Sequence, residues 1–289
     1  GEHARVVAAL REHGVCVVRG LFDAYREGRA EYQRHRGMPG APVEPVCAWF
    51  DEHGCTHADC AEGFQFDAAH TDFIRKRAAR LAQLEPRRCA RLVPVSAPDT
   101  RPENVHAALA SVMLEQALDL HESHHTTDPI TGRRVSFGLI RMANIEPLVQ
   151  VALALYRAEL PEGKRLHLCV YHSQFPLLLR SRIEERLDRT LDRSEEMAVF
   201  ELPVIRARLD RNAESDHLFV VLGSPVTEVG RDHDYDWAVV EPSSMRSIIQ
   251  LAGRVRRHRP QPVEVPNIAL LDANAKALER QRPAFCRPG

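Results

Sequence analysis

The chain has 289 residues, 44% of them hydrophobic and 27% charged, and its 39 basic and 40 acidic residues leave a net charge of -1. This composition is typical of a globular protein and excludes collagen-like, disordered and membrane-spanning chains, because no apolar run approaches the length of a spanning helix. With so little net charge, any binding of nucleic acid must come from a local surface. Seven scattered cysteines form no disulfide framework, so we expect a reducing, cytoplasmic environment.

In the first 130 residues helix formers dominate, and apolar residues recur at helical spacing in several stretches, of which 73–84 is the longest. A longer helix is predicted over 104–125, where a run of turn residues follows. We therefore expect a mainly helical segment over residues 1–130, which joins or decorates a second domain over residues 131–289.

From residue 135 the pattern changes to short apolar runs that alternate with longer helical periods. Strands are predicted at 136–145, 166–172, 217–224, 236–242 and 267–272. Helices are predicted between them at 148–160, 176–193 and 243–256. Such alternation predicts an α/β domain with a mostly parallel sheet, helices on both faces and functional residues near the carboxyl ends of the strands.

Three residues satisfy the H-E-x-x-H pattern of zinc hydrolases, in which two histidines bind the metal and the glutamate acts as base: His121, Glu122 and His125. The pattern fixes few positions and the predicted helix ends beside His125, so a zinc hydrolase is kept only as an alternative. A second group of residues has side chains that could bind structural zinc: Cys47, Cys55, His57, Cys60 and His70. The group lacks the paired C-x-x-C spacing that is typical of such sites. We assign no metal ligand, and whether the three cysteines bind metal stays open.

The chain contains no phosphate-binding loop of the G-x-x-x-x-G-K-[S/T] type, because none of its three lysines is followed by serine or threonine. The acidic pair Asp51 and Glu52 could hold magnesium in a nucleotide hydrolase. Without the loop this pair lacks its usual partner, and we expect it to be structural or solvent-exposed.

The strongest functional signal comes from a loop and a helix end that lie about twenty residues apart. The loop after the predicted strand 217–224 contains Glu228, Gly230 and Asp232. The predicted helix 243–256 carries Gln250, Gly253, Arg254 and Arg257. A run of arginines alone is usually a solvated face. Arg254 and Arg257 lie at positions i and i+3, so we expect them to share one face of this helix. Combined with a loop of glycine and acid, two such arginines are suited to stabilise charge on a transferring phosphoryl group.

The motifs E-x-G-R-D-x-D-x-D at 228–236 and Q-x-x-G-R-x-x-R at 250–257 resemble the fifth and sixth conserved motifs of superfamily 2 helicases. Their form is similar to that in the type I-F (Ypest subtype) CRISPR-associated helicase-nuclease. The likeness covers nearly the whole chain, through the stretches 47–52, 136–145, 171–184, 224–259 and 285–289. It implies a second RecA-like lobe of the P-loop NTPase type, with the first lobe, the nuclease domain and an adaptation-like domain lying outside this sequence.

The resemblance also implies roles for individual residues. Arg254 and Arg257 correspond to arginines that act on the γ-phosphate of ATP, which is bound with Mg²⁺ mainly by the first lobe. The nucleotide side further includes Gln250, Gly253, Glu228, Gly230 and Asp232. Contacts to the backbone of single-stranded DNA are implied for Asn144, His172, Ser173, Arg180 and Thr227. Serine, threonine and asparagine after strands are also ordinary helix caps, which leaves a structural role open for them.

As implied by the resemblance, the intact protein is a prokaryotic ATP-dependent DNA helicase with nuclease activity that degrades foreign DNA in CRISPR interference. Its implied partners are single-stranded DNA, the CRISPR RNA-guided surveillance complex and the CRISPR adaptation integrase, with no membrane. The divalent metals of the nuclease belong to a domain outside this sequence, so the chain alone should neither hydrolyse ATP nor cut DNA. A nucleic-acid or protein binding module without motor activity is the principal alternative.

Overall fold

The computed structural model describes residues 27–40, 42, 68, 71–72, 75–76, 78–80, 82–228 and 232–285. Several residues discussed above lie outside these ranges: Cys47, Asp51, Glu52, Cys55, His57, Cys60, His70 and Gly230. The expectations attached to them therefore remain predictions.

Contacts divide the chain into two compact units, Gly1–Leu84 and Glu85–Gly289. Most of the described residues of the first unit are helical. The second unit begins well before the expected boundary at 130/131. The physical reason is that two elements before residue 130 belong to the second unit. The strand Ala90–Val93 pairs with another strand of the sheet, and the helix Pro102–His124 buries apolar side chains against one face of it.

The second unit contains seven strands and six α-helices among its described residues. The strands are β1 (Ala90–Val93), β2 (Thr126–Thr127), β3 (Arg134–Arg141), β4 (Lys164–Tyr171), β5 (Asp216–Gly223), β6 (Trp237–Val240) and β7 (Ile268–Leu271). The helices are α1 (Pro102–His124), α2 (Ile145–Arg157), α3 (Leu177–Leu191), α4 (Pro203–Arg211), α5 (Met245–Ala252) and α6 (Ala275–Leu278), with 3₁₀ turns at Glu196–Glu201 and Pro225–Thr227. None of the described helices combines the length and apolar character needed to cross a membrane.

All seven strands join one sheet in the order β1-β7-β6-β3-β5-β4, with the short β2 paired beside β3. Every pairing along this order is parallel, and only β2 runs antiparallel. In the central pair, Arg134 at the start of β3 lies opposite Asp216 at the start of β5. The predicted α/β fold with a mostly parallel sheet is confirmed.

Helices cover both faces of the sheet and create two apolar cores. On one face α1 and α2 pack against the strands, and Leu109 is among the fully buried residues there. On the other face α3, α4 and α5 do the same, with Leu251 as an example. β3 serves both cores, because neighbouring strand residues such as Leu139 and Ile140 point to opposite faces.

A glycine in β3 makes room for the largest side chain of the core. A Cβ built on Gly138 would lie 2.2 Å from ring atoms of Trp237, which is fully buried. The indole Nε1 donates to Ser136 Oγ at 3.0 Å, so its position in the sheet is fixed. A methyl group at position 138 would overlap this ring, and only glycine admits it without displacement.

Two element boundaries differ from the prediction in ways that affect the site. β3 ends at Arg141 and Ile145 already begins α2, whereas the strand was expected to continue to residue 145. α5 ends at Ala252, four residues before the expected end of that helix. In each case one apolar residue of the turn that follows, Met142 or Val255, is fully buried, which extends the apolar pattern past the element.

Candidate functional site

Glu228 follows β5 and turns its side chain into the interior. It is 5% exposed, and its Oε1 accepts hydrogen bonds from Arg141 Nε and from Ser247 Oγ, both at 2.5 Å. Arg141 ends β3 and Ser247 lies in the first turn of α5. The carboxylate that we expected on the nucleotide side therefore joins the loop to the sheet and to α5 in this structure.

Arg254 and Arg257 do not share a helix face, which corrects our expectation for the helix 243–256. Gln250 lies half-buried in the last turn of α5, and Gly253 caps that helix. The chain then turns, and Arg256 adopts a positive φ of 47°. A residue in this left-handed conformation cannot continue a right-handed helix, so the arginine motif lies on a turn beyond α5.

The side chains of both arginines nevertheless reach the loop after β5. Arg254 is half-buried, and its Nη2 donates to the backbone carbonyl of Glu228 at 3.0 Å. Arg257 is exposed, and its Nε pairs with the carboxylate of Asp232. His258 Nε2 approaches the same carboxylate at 3.3 Å. The loop and the arginine motif therefore meet in space, as their spacing in the sequence predicts.

Main-chain hydrogen bonds fix the turn that carries the arginines. Tyr235, just before β6, forms a parallel bridge with Val255. Its N–H donates to the carbonyl of Arg254, and its carbonyl accepts from the N–H of Arg256, both at 2.9 Å. Arg88, from the segment before β1, donates its Nε to the carbonyl of Val255 at 2.7 Å. The backbone of the turn is thus positioned independently of the side chains of the arginine pair.

A buried cluster of charges, which the sequence analysis did not identify, anchors the same turn. Asp236 is 2% exposed and accepts from Arg193 Nη1 at 2.6 Å and from Arg259 Nη1 at 2.5 Å. Burial alone would raise the pKa of Asp236, but the two guanidiniums outweigh burial and lower it. Arg259 also donates to Asp234 Oδ1 at 2.7 Å. The sequence does contain a signal for this cluster, namely the acidic residues at every second position, 232, 234 and 236. Alternate residues of an extended segment share a face, so these carboxylates could have been expected to lie together.

The two arginines of the motif have different partners: Arg257 pairs with Asp232, and Arg254 bonds the carbonyl of Glu228. Burial lowers the pKa of Arg254 and the charge of Arg257 lowers it further, while Asp232 raises it. Arg88 is a third cation in this region that the sequence analysis missed. Burial lowers its pKa, and the charges of Arg87 and Arg257 lower it further. Guanidiniums that repel one another and keep a free N–H, as Arg254 Nε does among the described residues, retain donors for a further anion, and phosphate matches their planar geometry.

A groove of about 910 Å³ opens at the carboxyl ends of the strands. Its walls come from the segments after β3, β4, β5 and β7 and from the beginning of α1. Asn144 and Ser173, two of the predicted DNA contacts, line this groove together with Lys276. Residues that follow different parallel strands meet at one edge of the sheet, as the fold class predicts.

The other three predicted DNA contacts do not line the groove. Thr227 is fully buried, and its Oγ1 donates to the carbonyl of Ser224 at 2.9 Å. His172 is 8% exposed, and burial lowers its pKa. Arg180 lies on α3 with its Nε 3.3 Å from Glu184 Oε1. In this conformation the hydroxyl of Thr227 is not presented at the surface.

The residues of the H-E-x-x-H pattern form a structural network. His121 is fully buried, with Nδ1 bonded to Ser136 Oγ at 2.7 Å and Nε2 bonded to Asp216 Oδ1 at 3.0 Å. His125 Nδ1 lies 3.0 Å from the carbonyl of His121. Glu122 pairs with two cations at the starts of β3 and β4, Arg134 and Lys164. Both ring nitrogens of His121 are occupied, so the geometry opposes the zinc hydrolase alternative. In the described part of the chain no three potential ligands are arranged to hold a metal ion.

Comparisons with known proteins agree with these motifs. The family described as "CRISPR-associated nuclease/helicase Cas3, C-terminal" matches residues 134–260, from the start of β3 to the end of the arginine turn. A Pseudomonas aeruginosa protein named CRISPR-associated nuclease/helicase Cas3 subtype I-F/YPEST is 52% identical over 288 residues, which cover 99% of this chain and 27% of the relative. Its namesake from Pectobacterium atrosepticum is 44% identical over 290 residues, covering 99% of this chain and 26% of the relative.

Solved structures of T. fusca Cas3 with AMPPNP and with ATP each align with a TM-score of 0.41, at 18% and 20% identity. These alignments cover 70% and 65% of this chain and 20% and 18% of the T. fusca chains. The chain spans about a quarter of the length of the two curated relatives, at 27% and 26%. Over 99% of its length, the chain is thus similar to one segment of the CRISPR-associated nuclease/helicase Cas3 proteins of subtype I-F/YPEST.

Proposed function

We propose that this chain is the second motor lobe of an ATP-dependent DNA helicase-nuclease that unwinds and degrades foreign DNA in CRISPR interference. Both curated relatives are named nuclease/helicases, which supports this assignment. The observation that carries it is that Arg254 and Arg257 both reach the loop after β5, Arg254 at the carbonyl of Glu228 and Arg257 at the carboxylate of Asp232. Such a site favours an additional anion, and the phosphates of a nucleotide are anions of matching geometry.

In this proposal Arg254 and Arg257 contact the γ-phosphate of ATP that the first motor lobe holds with Mg²⁺. ATP supplies the phosphoryl group and Mg²⁺ neutralises part of its charge. The two guanidiniums stabilise the charge that develops during transfer, and Asp232 holds Arg257 in place until phosphate replaces it. The remaining residues of the nucleotide side shape the surroundings of the pair: Gln250, Gly253, Glu228 and Gly230.

The groove at the carboxyl ends of the strands is proposed to bind single-stranded DNA through its phosphates. Asn144 and Ser173 line the groove, and Lys276 adds a positive charge to the same lining. Amide, hydroxyl and ammonium groups hold a nucleic-acid backbone without reading its sequence. Contacts from His172, Arg180 and Thr227 remain part of the proposal, but Thr227 would first have to break its hydrogen bond to Ser224.

We further propose that the full-length protein acts in the cytoplasm of a prokaryote. Its partners are the RNA-guided surveillance complex, which marks the DNA, and the CRISPR adaptation integrase. The 289-residue chain alone should not hydrolyse ATP, because its arginines act on a phosphate that another lobe must hold. A clear rate of hydrolysis by the isolated chain would contradict this division of labour.

ATP hydrolysis by the full-length protein, with and without single-stranded DNA, tests the proposal. Arg254→Ala and Arg257→Ala should each lower the turnover number by about 10³-fold, the usual loss when an arginine that stabilises phosphoryl transfer is removed. Binding of a fluorescent ATP analogue should persist, since the first lobe holds most of the nucleotide.

Arg165→Ala is the matched control for these variants. Arg165 is the second residue of β4, its side chain is 50% exposed, and its Nη1 lies 3.5 Å from Glu214. Its removal takes away the same charge without touching the arginine turn, so turnover should not change. If all three variants hydrolyse ATP as the wild type does, the arginine pair is a charged surface and the motor assignment loses its mechanistic basis.

A further inference from the structure

Arg141 ends β3 and is 1% exposed, yet each nitrogen of its guanidinium has a partner. Nε donates to Glu228 Oε1 at 2.5 Å, Nη1 to the carbonyl of Glu241 at 2.7 Å and Nη2 to Ser243 Oγ at 2.6 Å. Nη2 also donates to Ser247 Oγ. One buried side chain therefore joins the ends of β3 and β6, the loop after β5 and the first turn of α5.

Glu241 extends this network to the groove. It is fully buried at the end of β6, and its carboxylate accepts the N–H groups of Ala143 at 2.6 Å and of Ala275 at 2.7 Å. Ala143 precedes Asn144 and Ala275 precedes Lys276, and all four residues line the groove. The backbone of two walls of the groove is thus hydrogen-bonded to Glu241, whose carbonyl also accepts a hydrogen bond from Arg141.

In the other direction the network reaches Arg254 by two routes. The carbonyl of Glu228, whose side chain Arg141 holds, accepts Arg254 Nη2 at 3.0 Å. Ser247, the second partner of Arg141, lies in α5, and this eight-residue helix leads directly to Gly253 and Arg254. In addition to the main-chain bonds from Tyr235, two contacts that position Arg254 therefore depend on one guanidinium.

Stability alone does not require charges at these positions. Two buried charges lose their hydration, and a well-packed apolar pair of similar shape stabilises a fold equally well or better. Directional hydrogen bonds instead hold several segments in one arrangement and allow a second, discrete arrangement when a bond is exchanged. A network of this kind can transmit a change at the groove to the arginine turn.

We propose that Arg141 is a positioning residue that couples occupancy of the groove by single-stranded DNA to the placement of Arg254 at ATP. This inference rests on the proposed function of the two sites. Arg141 itself contacts neither ligand, because it is enclosed by Glu228, Glu241, Ser243 and Ser247. DNA that displaces the segments beside Asn144 and Lys276 shifts the end of β6 and, through Arg141, the start of α5.

Binding linkage in the full-length protein measures this coupling. The Kd of a fluorescent oligo-dT is determined with and without AMPPNP, and by reciprocity the ratio of the two values reports the interaction between the sites. The variant Arg141→Met with Glu228→Gln removes both charges at once, so no buried carboxylate is left without a partner. We expect the ratio to fall from about fivefold or more in the wild type to about one, in a double variant whose cooperative thermal unfolding shows that it is folded.

Ser247→Ala provides a second, milder variant that keeps the ion pair and removes one link to α5. Ser247→Ala should reduce the ratio of the two Kd values by about twofold or more. If the double variant does not fold, this single variant tests the coupling instead. Rescue by Ser247→Thr, which restores a hydroxyl, separates positioning from a general loss of packing. A folded double variant, or a Ser247→Ala protein, with the wild-type ratio would overturn the inference.

The failure of this inference can be distinguished from the failure of the proposed function. A wild-type ratio of one overturns the coupling, but the motor assignment stands as long as Arg254→Ala abolishes ATP hydrolysis. If Arg254→Ala leaves hydrolysis unchanged, the proposed function fails, and the coupling that rests on it fails with it.

Discussion

The His121 network and the arginine turn beyond α5 both contain motifs that suggest catalysis, and they differ in how completely their polar groups are paired. At the starts of β3, β4 and β5, His121 and Asp216 are fully or almost fully buried and bonded to protein partners. At the arginine turn, Arg254 and Arg257 repel each other, Arg257 pairs with Asp232, and Arg254 Nε has no partner among the described residues. The first arrangement leaves no donor or acceptor on His121 for a ligand, whereas the second retains guanidinium donors.

This difference separates a motif that stabilises the fold from one that can perform chemistry. A short pattern such as H-E-x-x-H specifies residue types but not their partners. Once a buried histidine has both nitrogens bonded, binding a metal would cost those bonds and the burial of the ring. A group of like charges near the surface gains free energy from an added anion, so the same comparison favours function at the arginine turn.

The largest effect is expected at the buried frame of the arginine turn. Asp236→Ala leaves Arg193 and Arg259 buried without their shared carboxylate, and breaking a buried ion pair in this way costs about 3–5 kcal/mol of stability. Urea unfolding of the 289-residue chain measures the loss in the free energy of unfolding. Asp210→Ala serves as control, because Asp210 is 57% exposed in its pair with Arg206 and should contribute less than about 1 kcal/mol. Equal losses in both variants would contradict a structural role for the frame.

A smaller loss of stability, with no loss of hydrolysis, is expected at the amino ends of the strands. His121→Ala removes a buried ring and leaves Ser136 and Asp216 short of one partner each, for a cost of about 2–3 kcal/mol. The free energy of unfolding and the turnover number of the full-length protein should be measured at a temperature where the variant is folded. A collapse of turnover in the folded variant would place His121 in the reaction and reverse the comparison.

The same network predicts a pH dependence. Burial lowers the pKa of His121 to about 4, although its hydrogen bond to Asp216 acts in the opposite direction. The folded pKa lies below the unfolded value near 6.5, so the unfolded state binds more protons between about pH 6.5 and 4. Stability should therefore fall by about 1–3 kcal/mol as the pH is lowered through this window, and it should be fully present above it. The groups that face the ring are Ser136, Asp216, His125, Lys164 and Arg134.

Asp216 extends this dependence to more acidic pH. Burial alone would raise its pKa, but hydrogen bonds from Ser215, Arg134 and His121 outweigh burial and lower it. Its contribution is present above the unfolded pKa near 3.9 and is lost as the pH falls toward the folded value. Chemical denaturation of His121→Asn between pH 4 and pH 7 isolates the histidine, and a slope equal to that of the wild type would contradict the assignment.

The smallest effect is expected for the glutamate of the H-E-x-x-H pattern. Glu122 has a side chain that is 44% exposed and forms surface pairs with Arg134 and Lys164. Glu122→Ala should change stability by less than about 1 kcal/mol and leave ATP hydrolysis intact. A zinc hydrolase would instead lose its general base and all activity, so an assay of this single variant sharpens the contrast between the two regions.

Much of the fold follows from local sequence patterns. The apolar runs that become β4 and β5 are bounded by turn residues, and a parallel sheet follows from their alternation with helices. The strand β1 and the helix α4 could not be predicted in the same way. β1 has only four residues, and α4 buries just Ile205 and Leu209 among polar neighbours, so neither has a strong period of its own.

Only the sequence motifs of the site could be predicted from the sequence, not their three-dimensional arrangement. The meeting of the loop after β5 with Arg254 and Arg257 follows from the spacing of the two motifs. The turn that carries the arginines could not be foreseen, because it depends on a bridge between Tyr235 and Val255 that no local pattern encodes. The same holds for the long-range bond from Arg88 to this turn.

Single-turnover hydrolysis of ATP by the full-length protein, measured together with the Kd for the nucleotide, tests the central claim most directly. Arg254→Ala and His121→Ala are compared at a temperature where both are folded. The account predicts that Arg254→Ala lowers the rate by about 10³-fold with nucleotide still bound, whereas His121→Ala hydrolyses ATP at the wild-type rate. Equal rates in both variants, or a collapse in His121→Ala alone, would contradict it.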